Sequence, residues 1–138
     1  MGIEQVSVKP GFATLEWSFD PDRYANGLGI AHGGVIGTLL DVVMGYACGY
    51  QDQKVSAVVT TGMTIHYLAA AQNKLIATAQ VERQTRHLAF SSATVRSTDG
   101  SLLAQAMATF KKTTPRTQQP AESSLEVWGK EQKVVGHA

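Results

Sequence analysis

The segment from Gly33 to Gly49 constrains the fold most, because nearly all of its residues are apolar. Its apolar side chains would cover almost the whole circumference of a helix, which is typical of a buried helix rather than a surface one. Its length, roughly four turns, favours a helix over a strand. Only Thr38 and Asp41 interrupt the run with polar side chains. The rest of the chain must therefore supply apolar faces that cover this helix.

The other segments up to Lys112 alternate apolar and polar residues, which is typical of half-buried strands. One strand is predicted before the helix and four after it, at residues 12–19, 55–68, 75–83, 88–97 and 102–112. The turn Thr98-Asp99-Gly100 joins the last two, and the short connections favour an antiparallel meander. We therefore predict an α+β fold in which an antiparallel sheet of five to six strands wraps around one long buried helix.

Residues 1–112 are predicted to form one domain, because a chain of 138 residues has room for one substantial core. Residues 113–138 lose the alternation and contain Pro115 and Pro120, so we interpret them as a C-terminal tail. A short helix from Leu125 to Trp128 is one option within that tail.

Charge, hydropathy and cysteine content exclude several classes of function. A net charge of +1 argues against a nucleic-acid partner, because phosphate binding depends on massed Lys and Arg. No apolar run reaches the roughly 18 residues of a membrane span, and no signal segment opens the chain. The single cysteine, Cys48, cannot form an intrachain disulfide. We therefore expect a reducing compartment, the cytoplasm, and a buried apolar role for Cys48.

One spaced set of residues resembles a known family. Asn26 is followed six residues later by His32-Gly33-Gly34, and Asp41 lies eight residues past the first of these glycines. The pattern resembles the hotdog-fold acyl-CoA thioesterases of the phenylacetic-acid-degradation (PaaI-like) family, and the resemblance covers residues 12–112. It implies hydrolysis of an acyl-CoA to a free acid and CoA, by a homodimer assembled into a homotetramer, without a metal or other cofactor. It also implies that the first glycine donates its N–H to the thioester carbonyl, while the partner chain's acidic residue activates water or attacks directly.

The glycine pair itself suits such chemistry. Thioester hydrolysis needs a place for negative charge on oxygen and a nucleophile. Gly33 and Gly34 fall where the loop becomes a helix, and the first N–H groups of a helix lack internal partners. These N–H groups could form an oxyanion hole. The alternative is that the two glycines only permit a tight turn into the helix.

Asp41 is the most informative residue, because a carboxylate in an apolar run is costly to desolvate unless it is paired or functional. We predict it as the base or the nucleophile. The alternative is a polar stripe of the helix that faces solvent or a neighbouring chain. Gly34 and Asp41 would lie roughly 10 Å apart along the helix, which is too far for both to reach one carbonyl. A site shared between two antiparallel helices of a two-fold dimer solves this problem.

Two loop residues and two strand residues are further candidates. His32 could polarise the carbonyl or hold the loop in shape. Asn26 could donate its amide to the carbonyl or to water, or it could be an ordinary turn residue. The resemblance implies a hydroxyl that positions water at Thr60 or Thr61 and leaves the choice between them open.

Basic and large apolar residues are the candidates for substrate binding. Arg83, Arg86 and His87 form a basic group that could bind the CoA phosphates, with a solvated turn as the alternative. For Lys111 and Lys112, at the end of the last strand, we favour the solvated alternative. An aromatic or medium-length acyl chain would suit a pocket lined by Met44, Tyr46, Met63 and Tyr67.

Two other functions are compatible with such a domain. The first is an enoyl-thioester hydratase, which the nine-residue spacing of His32 and Asp41 disfavours because related hydratases place Asp and His close together. The second is a non-catalytic acyl-CoA-binding module, in which Asp41 would have no evident purpose.

Overall fold

The computed structural model describes residues 1–51, 54, 55 and 57–113, which form an antiparallel sheet around one long helix. The elements in chain order are β1 Ile3–Lys9, β2 Phe12–Ser18, α1 Pro21–Tyr24, α2 Gly33–Gly49, β3 Tyr50–Gln51, β4 Lys54–Val55, β5 Val58–Tyr67, β6 Lys74–Gln84, β7 Leu88–Ser97 and β8 Leu102–Lys112. The predicted α+β architecture is confirmed. The helix considered at 125–128 lies outside the described residues, and the domain boundary after Lys112 stays a prediction.

Six strands form the main sheet in the order β1-β2-β6-β7-β8-β5, and every neighbouring pair is antiparallel. The meander is confirmed for β6, β7 and β8 but is wrong for β5, which pairs with β8 and forms an edge. Residues 68–73 connect β5 to β6 across three strand spacings, about 14 Å. Six extended residues can span about 20 Å, so a short connection does not require adjacent strands.

Strand β1 is a second difference from the sequence prediction, in which the first strand began at residue 12. It pairs with β2 through a turn at Pro10-Gly11, where Gly11 adopts a φ of +72° that favours glycine. Its register shifts between Ile3 and Gln5, so the alternation of apolar residues is broken near its start. An edge strand with an interrupted pattern carries a weak sequence signal.

The core lies between α2 and the concave face of the sheet. The helix contacts all six strands of that sheet. The side chains that are fully buried at this contact include Leu15, Trp17, Leu39, Leu40, Val43, Met44, Leu75 and Val95. The Trp17 ring also makes edge-to-face contacts with the rings of Phe19 and Tyr24, at 6.0 and 5.5 Å between centroids. The apolar run therefore folds as a helix because the curled sheet covers most of it.

One stripe of α2 remains uncovered, which corrects the expectation of a helix buried on all sides. Gly34 and Thr38 are exposed, and Asp41 and Gly45 are half-buried. These positions recur every three or four residues and so lie on one face of the helix. A single sheet can cover only part of the circumference, and the polar positions lie on the side that it leaves open. Asp41 is therefore partly accessible in the single chain rather than buried.

The packing predicts that Leu40→Ala will lower the free energy of unfolding by about 2–5 kcal/mol, because Leu40 has no exposed surface and its loss leaves a cavity. Urea unfolding followed by fluorescence measures the change. Leu28→Ala is the matched control, since Leu28 is 82% exposed and its truncation should change stability by about 0.5 kcal/mol at most. Equal effects of the two substitutions would contradict the core placement.

Candidate active site

Helix α2 begins at Gly33, as the glycine pattern predicted, and His32 occupies the N-cap position. The His32 carbonyl accepts hydrogen bonds from the N–H groups of Val35 and Ile36, at 3.0 and 3.3 Å. Among the described residues, nothing accepts a hydrogen bond from the Gly33 or Gly34 N–H, and the His32 side chain does not cap the helix. Both N–H groups thus lie at the positive end of the helix dipole and can reach an anion.

The two glycines differ in what surrounds them. A Cβ atom added at Gly34 would meet nothing within 4 Å, so a ligand can approach this peptide from outside. A Cβ atom at Gly33 would lie 3.2 Å from Cζ of Tyr67, which is closer than ordinary contact. Gly33 therefore also allows close packing against Tyr67, so permitting a tight turn into the helix is not its only structural role.

Asn26 shapes the loop before α2. Its side-chain oxygen accepts hydrogen bonds from the N–H groups of Leu28 (2.8 Å) and Ile30 (3.3 Å), and its own N–H donates to the Ile30 carbonyl at 2.8 Å. Gly29 completes the turn with a φ of +75°. These bonds match the loop-forming alternative for Asn26, since its oxygen is engaged within the loop.

Asp41 is paired with Thr60 on β5. The Thr60 hydroxyl donates a hydrogen bond of 2.6 Å to Oδ1 of Asp41. A bond from a hydroxyl to a carboxylate is charge-assisted and holds both side chains in one orientation. The Thr60 oxygen still has lone pairs that can accept a hydrogen bond from a third group, such as water.

A β-bulge decides which threonine faces the helix. The register between β5 and β8 shifts between Thr60 and Gly62, so that one extra residue enters β5 at this point. Thr61 consequently donates to the Thr109 carbonyl of β8, at 3.0 Å, while Thr60 meets Asp41. With regular alternation, Thr61 would share the helix-facing side of β5 with Met63 and Ile65. The sequence pattern alone therefore does not indicate that Thr60 faces the helix.

Tyr67, at the other end of β5, contacts the start of the helix. Its hydroxyl donates a hydrogen bond of 2.8 Å to the Gly33 carbonyl, although 55% of the residue is exposed. From the sequence Tyr67 is predicted to line the acyl pocket, and no sequence feature indicates this contact. The two residues are 34 positions apart, and no local pattern links them.

The remaining acyl-pocket candidates lie in different environments. Met63 and Tyr46 are half-buried and pack against the core. Met44 is fully buried and therefore cannot line an open pocket, which corrects its assignment. Met44 lies on the helix face that the sheet covers.

The two parts of the predicted site, the glycine N–H groups and the Asp41 carboxylate, lie at opposite ends of the contact between α2 and β5. Helix α2 runs antiparallel to β5, because Gly33 meets Tyr67 and Asp41 meets Thr60. Eight residues separate Gly33 from Asp41, which corresponds to about 12 Å along a helix. Within one chain the glycine N–H groups and the carboxylate are therefore too far apart to act on the same carbonyl.

The predicted basic group lies at the Asp41 end of the sheet. Arg83, Arg86 and His87 are exposed around the turn between β6 and β7. The sheet register pairs Leu88 with Lys111 and Val58 with Lys112, which places this turn at the end where β5 begins.

Lys112 holds that turn in shape. Its ammonium group donates hydrogen bonds to Oε1 of Gln84, at 2.6 Å, and to the Thr85 carbonyl, at 2.9 Å. Lys112 is half-buried and has a structural role, which differs from the solvated position favoured for it from the sequence. Lys111 is exposed on the same strand.

Cys48 has the environment expected of a structural residue. Only 2% of it is exposed, and burial raises the pKa of its thiol to about 11, against the opposing effects of the Ser91 hydrogen bond and the Lys112 charge. The thiol is therefore protonated near neutral pH and is a poor nucleophile.

A groove of about 670 Å³ lies on the outer face of the sheet, and Thr78, Thr94 and Met107 are among its lining residues. It contains neither Asp41 nor either glycine of the helix start, and no Asp, Glu, Lys or Arg lines it. The accessible N–H groups at the start of α2 and the carboxylate of Asp41 at its middle are a better candidate for chemistry than this open groove.

A curled antiparallel sheet around one central helix is the hotdog fold. The chain belongs to the Thioesterase superfamily, whose family model matches residues 28–104 and so includes Gly33, Asp41, Thr60 and Tyr67. The resemblance to hotdog thioesterases is thereby confirmed. In the described residues, no helix is long and apolar enough to span a bilayer.

Known proteins that are similar to this chain include the following three. The PaaI protein of the E. coli phenylacetic acid degradation operon shares 25% identity, with a TM-score of 0.74 and coverage of 81% of this chain and 80% of that one. The protein smu.793 of Streptococcus mutans, whose structure was solved bound to acetyl CoA, shares 24% identity and the same fold; its TM-score is 0.76, with 85% of this chain and 93% of that one covered. PA0474 of Pseudomonas aeruginosa, provisionally named an esterase, is 31% identical over 78 residues, which are 55% of this chain and 58% of that relative.

The environment of Cys48 predicts slow reaction with a thiol reagent. At pH 8, a pKa of about 11 leaves about one thousandth of the thiol ionised, and burial blocks access further. Ellman's reagent should therefore label the native protein far more slowly than the same protein in guanidinium chloride. Because the chain has one cysteine, the absorbance reports this thiol alone. Rapid labelling of the native protein would contradict the buried placement.

Proposed function

We propose that the protein is an acyl-CoA thioesterase that hydrolyses an aryl- or medium-chain acyl-CoA to the free acid and CoA. The hydrogen bond between Thr60 and Asp41 carries this proposal, because it holds a carboxylate on the same helix that begins with two accessible glycine N–H groups. A nucleophile or base and an oxyanion site are the two requirements of thioester hydrolysis. The single Cys48 is compatible with a cytoplasmic location.

In the proposed reaction, Asp41 acts as a base toward water or attacks the thioester carbon itself. When water attacks, it forms the new C–O bond and gives a proton to Asp41. The N–H groups of Gly33 and Gly34 stabilise the negative charge on the carbonyl oxygen. The C–S bond then breaks, and the CoA sulfur leaves and takes up a proton. In the other route, the Asp41 carboxylate forms a C–O bond to the thioester carbon, the C–S bond breaks as the CoA sulfur leaves and takes up a proton, and water hydrolyses the resulting anhydride. His32, exposed at the helix start, could polarise the same carbonyl.

The active site would be shared by two chains of a homodimer. About 12 Å separates the glycines from Asp41 in one helix, and a second antiparallel helix would bring one chain's glycines close to the other's carboxylate. The uncovered stripe suits this contact, because Gly34 and Gly45 allow close approach of two helices. The edge strand β5 is also available for pairing. As the PaaI-like resemblance implies, such dimers would assemble into a homotetramer.

The substrate's CoA moiety would bind at the Asp41 end of the sheet. Arg83, Arg86 and His87 are exposed there and can donate charge-assisted hydrogen bonds to phosphate. Binding of acetyl CoA by smu.793, a protein of the same fold, makes a CoA thioester a suitable first ligand to test. Met63 and Tyr67 on β5 would border the acyl group.

The first test is turnover of a panel of aryl- and fatty acyl-CoAs, followed by release of the CoA thiol. Asp41→Asn should lower kcat at least roughly 100-fold, because it removes the base while keeping the shape of the side chain. Unchanged turnover would remove Asp41 from the mechanism. If the unmodified protein binds acyl-CoA but hydrolyses none of the panel, the non-catalytic binding module is the better description.

Thr60 and Thr61 form a matched pair for a second test. Thr60→Val should lower kcat roughly 10- to 100-fold, because a hydrogen bond to a charged group contributes about 1.5–3 kcal/mol. Thr61→Val removes only a bond to the Thr109 carbonyl and should leave kcat within about twofold. The opposite order of effects would contradict the assignment of Thr60.

A complementation experiment tests the shared site. Gly33→Pro deletes one N–H at a position where proline is tolerated, and Gly33→Ala is its control because it adds a similar contact with Tyr67 but keeps the N–H. Asp41→Asn and Gly33→Pro chains should each be nearly inactive. Co-expressed in equal amounts, they should recover about a quarter of the wild-type activity, since half of the dimers are mixed and each has one intact site. No recovery in isolated mixed dimers would show that the site lies within one chain.

A further inference from the structure

Tyr67 is the one residue of β5 whose hydroxyl reaches the backbone of the helix start. Its oxygen lies 2.8 Å from the Gly33 carbonyl oxygen, and the ring packs against the Gly33 backbone so closely that a Cβ atom there would approach to 3.2 Å. Two different parts of one side chain therefore contact the same glycine. Such a contact restrains the residue more strongly than a single hydrogen bond would.

The Gly33 carbonyl belongs to the same peptide unit as the Gly34 N–H. A hydrogen bond to the oxygen of a peptide withdraws electron density and makes the N–H of that peptide a stronger donor. The plane of this unit also fixes the direction in which the Gly34 N–H points. The preceding peptide is held separately, because the His32 carbonyl accepts from Val35 and Ile36 N–H groups.

We propose that Tyr67 is a positioning residue that orients and polarises the Gly33–Gly34 peptide for stabilisation of the oxyanion. The proposal rests on the thioesterase function proposed above and changes the role of Tyr67 from lining the acyl pocket to acting through a backbone amide. The accessible position of Gly34, where an added Cβ would meet nothing within 4 Å, leaves its N–H free to reach a substrate oxygen. Catalysis gains most from donors that are already oriented before the charge develops.

Two roles for Tyr67 predict different kinetics. If Tyr67 acts through the oxyanion donor, its substitution lowers kcat by the same factor for every acyl-CoA, because all of them form the same oxyanion. If Tyr67 lines the acyl pocket, its substitution changes KM by an amount that depends on the acyl chain. Comparing the change in kcat with the change in KM across a panel of substrates therefore separates the two roles.

Tyr67→Phe is the decisive variant, because it removes the hydroxyl and keeps the ring against Gly33. We expect kcat to fall roughly three- to tenfold for all substrates, as expected from the loss of one neutral hydrogen bond, with KM within about twofold. Thr64→Val is the control: this residue lies on the same strand, lines the groove on the outer face of the sheet, and its loss should change neither constant. Thermal unfolding of both variants should match that of the unmodified protein.

Unchanged kcat and KM in Tyr67→Phe would overturn the proposal, and so would an increase in KM that depends on the acyl chain. A nuclear magnetic resonance spectrum of the ¹⁵N-labelled protein separates a failure of the Tyr67 proposal from a failure of the thioesterase function. Loss of the bond should shift the Gly34 amide resonance in Tyr67→Phe but not in Thr64→Val. If the unmodified protein hydrolyses no acyl-CoA, the thioesterase function fails, while the resonance still tests the contact. An unshifted Gly34 resonance would then overturn the role of Tyr67.

Discussion

The close packing of α2 against the edge strand β5 is the contact on which the geometry of the candidate site depends. Added Cβ atoms at Gly33 and Gly37 would lie 3.2 Å from the Tyr67 ring and 3.1 Å from Cδ1 of Ile65. Glycine at both positions lets the helix lie directly on the strand. This contact holds one edge of the curled sheet on the helix. It also brings the polar side chains of β5 within hydrogen-bond distance of α2.

Two hydroxyl groups on one strand therefore meet two regions of one helix that belong to the candidate site. Thr60 holds the Asp41 carboxylate, and Tyr67 holds the peptide at the helix start. Under the proposed function, β5 orients the nucleophile or base of one active site and the oxyanion donors of another. The sheet covers only one side of α2, so the polar stripe that carries Asp41 faces outward. A second chain placed on that stripe would exclude water and complete both sites.

Much of the fold follows from residue periodicity. The apolar run of α2 and the alternation along β2, β6, β7 and β8 reflect how each element buries a face, which is a local property. The strand order does not follow, because the six residues between β5 and β6 can reach a distant edge as easily as an adjacent one. The strand β1 was missed because its alternation is interrupted near Ile3. The expected burial of Asp41 was wrong because composition alone cannot tell which helix face the sheet will leave open.

The sequence by itself determined that an antiparallel sheet wraps around one long helix, that this helix starts at Gly33 and that a carboxylate follows two turns later, since these depend on residue type and spacing along the chain. Only the tertiary structure decided that Thr60 rather than Thr61 meets Asp41, because a bulge changes which side chains face the helix. It also decided that the Tyr67 hydroxyl binds the Gly33 carbonyl across 34 residues. Contacts of this kind depend on strand order, register and the separation of helix from sheet, which are set by the packing of the whole domain.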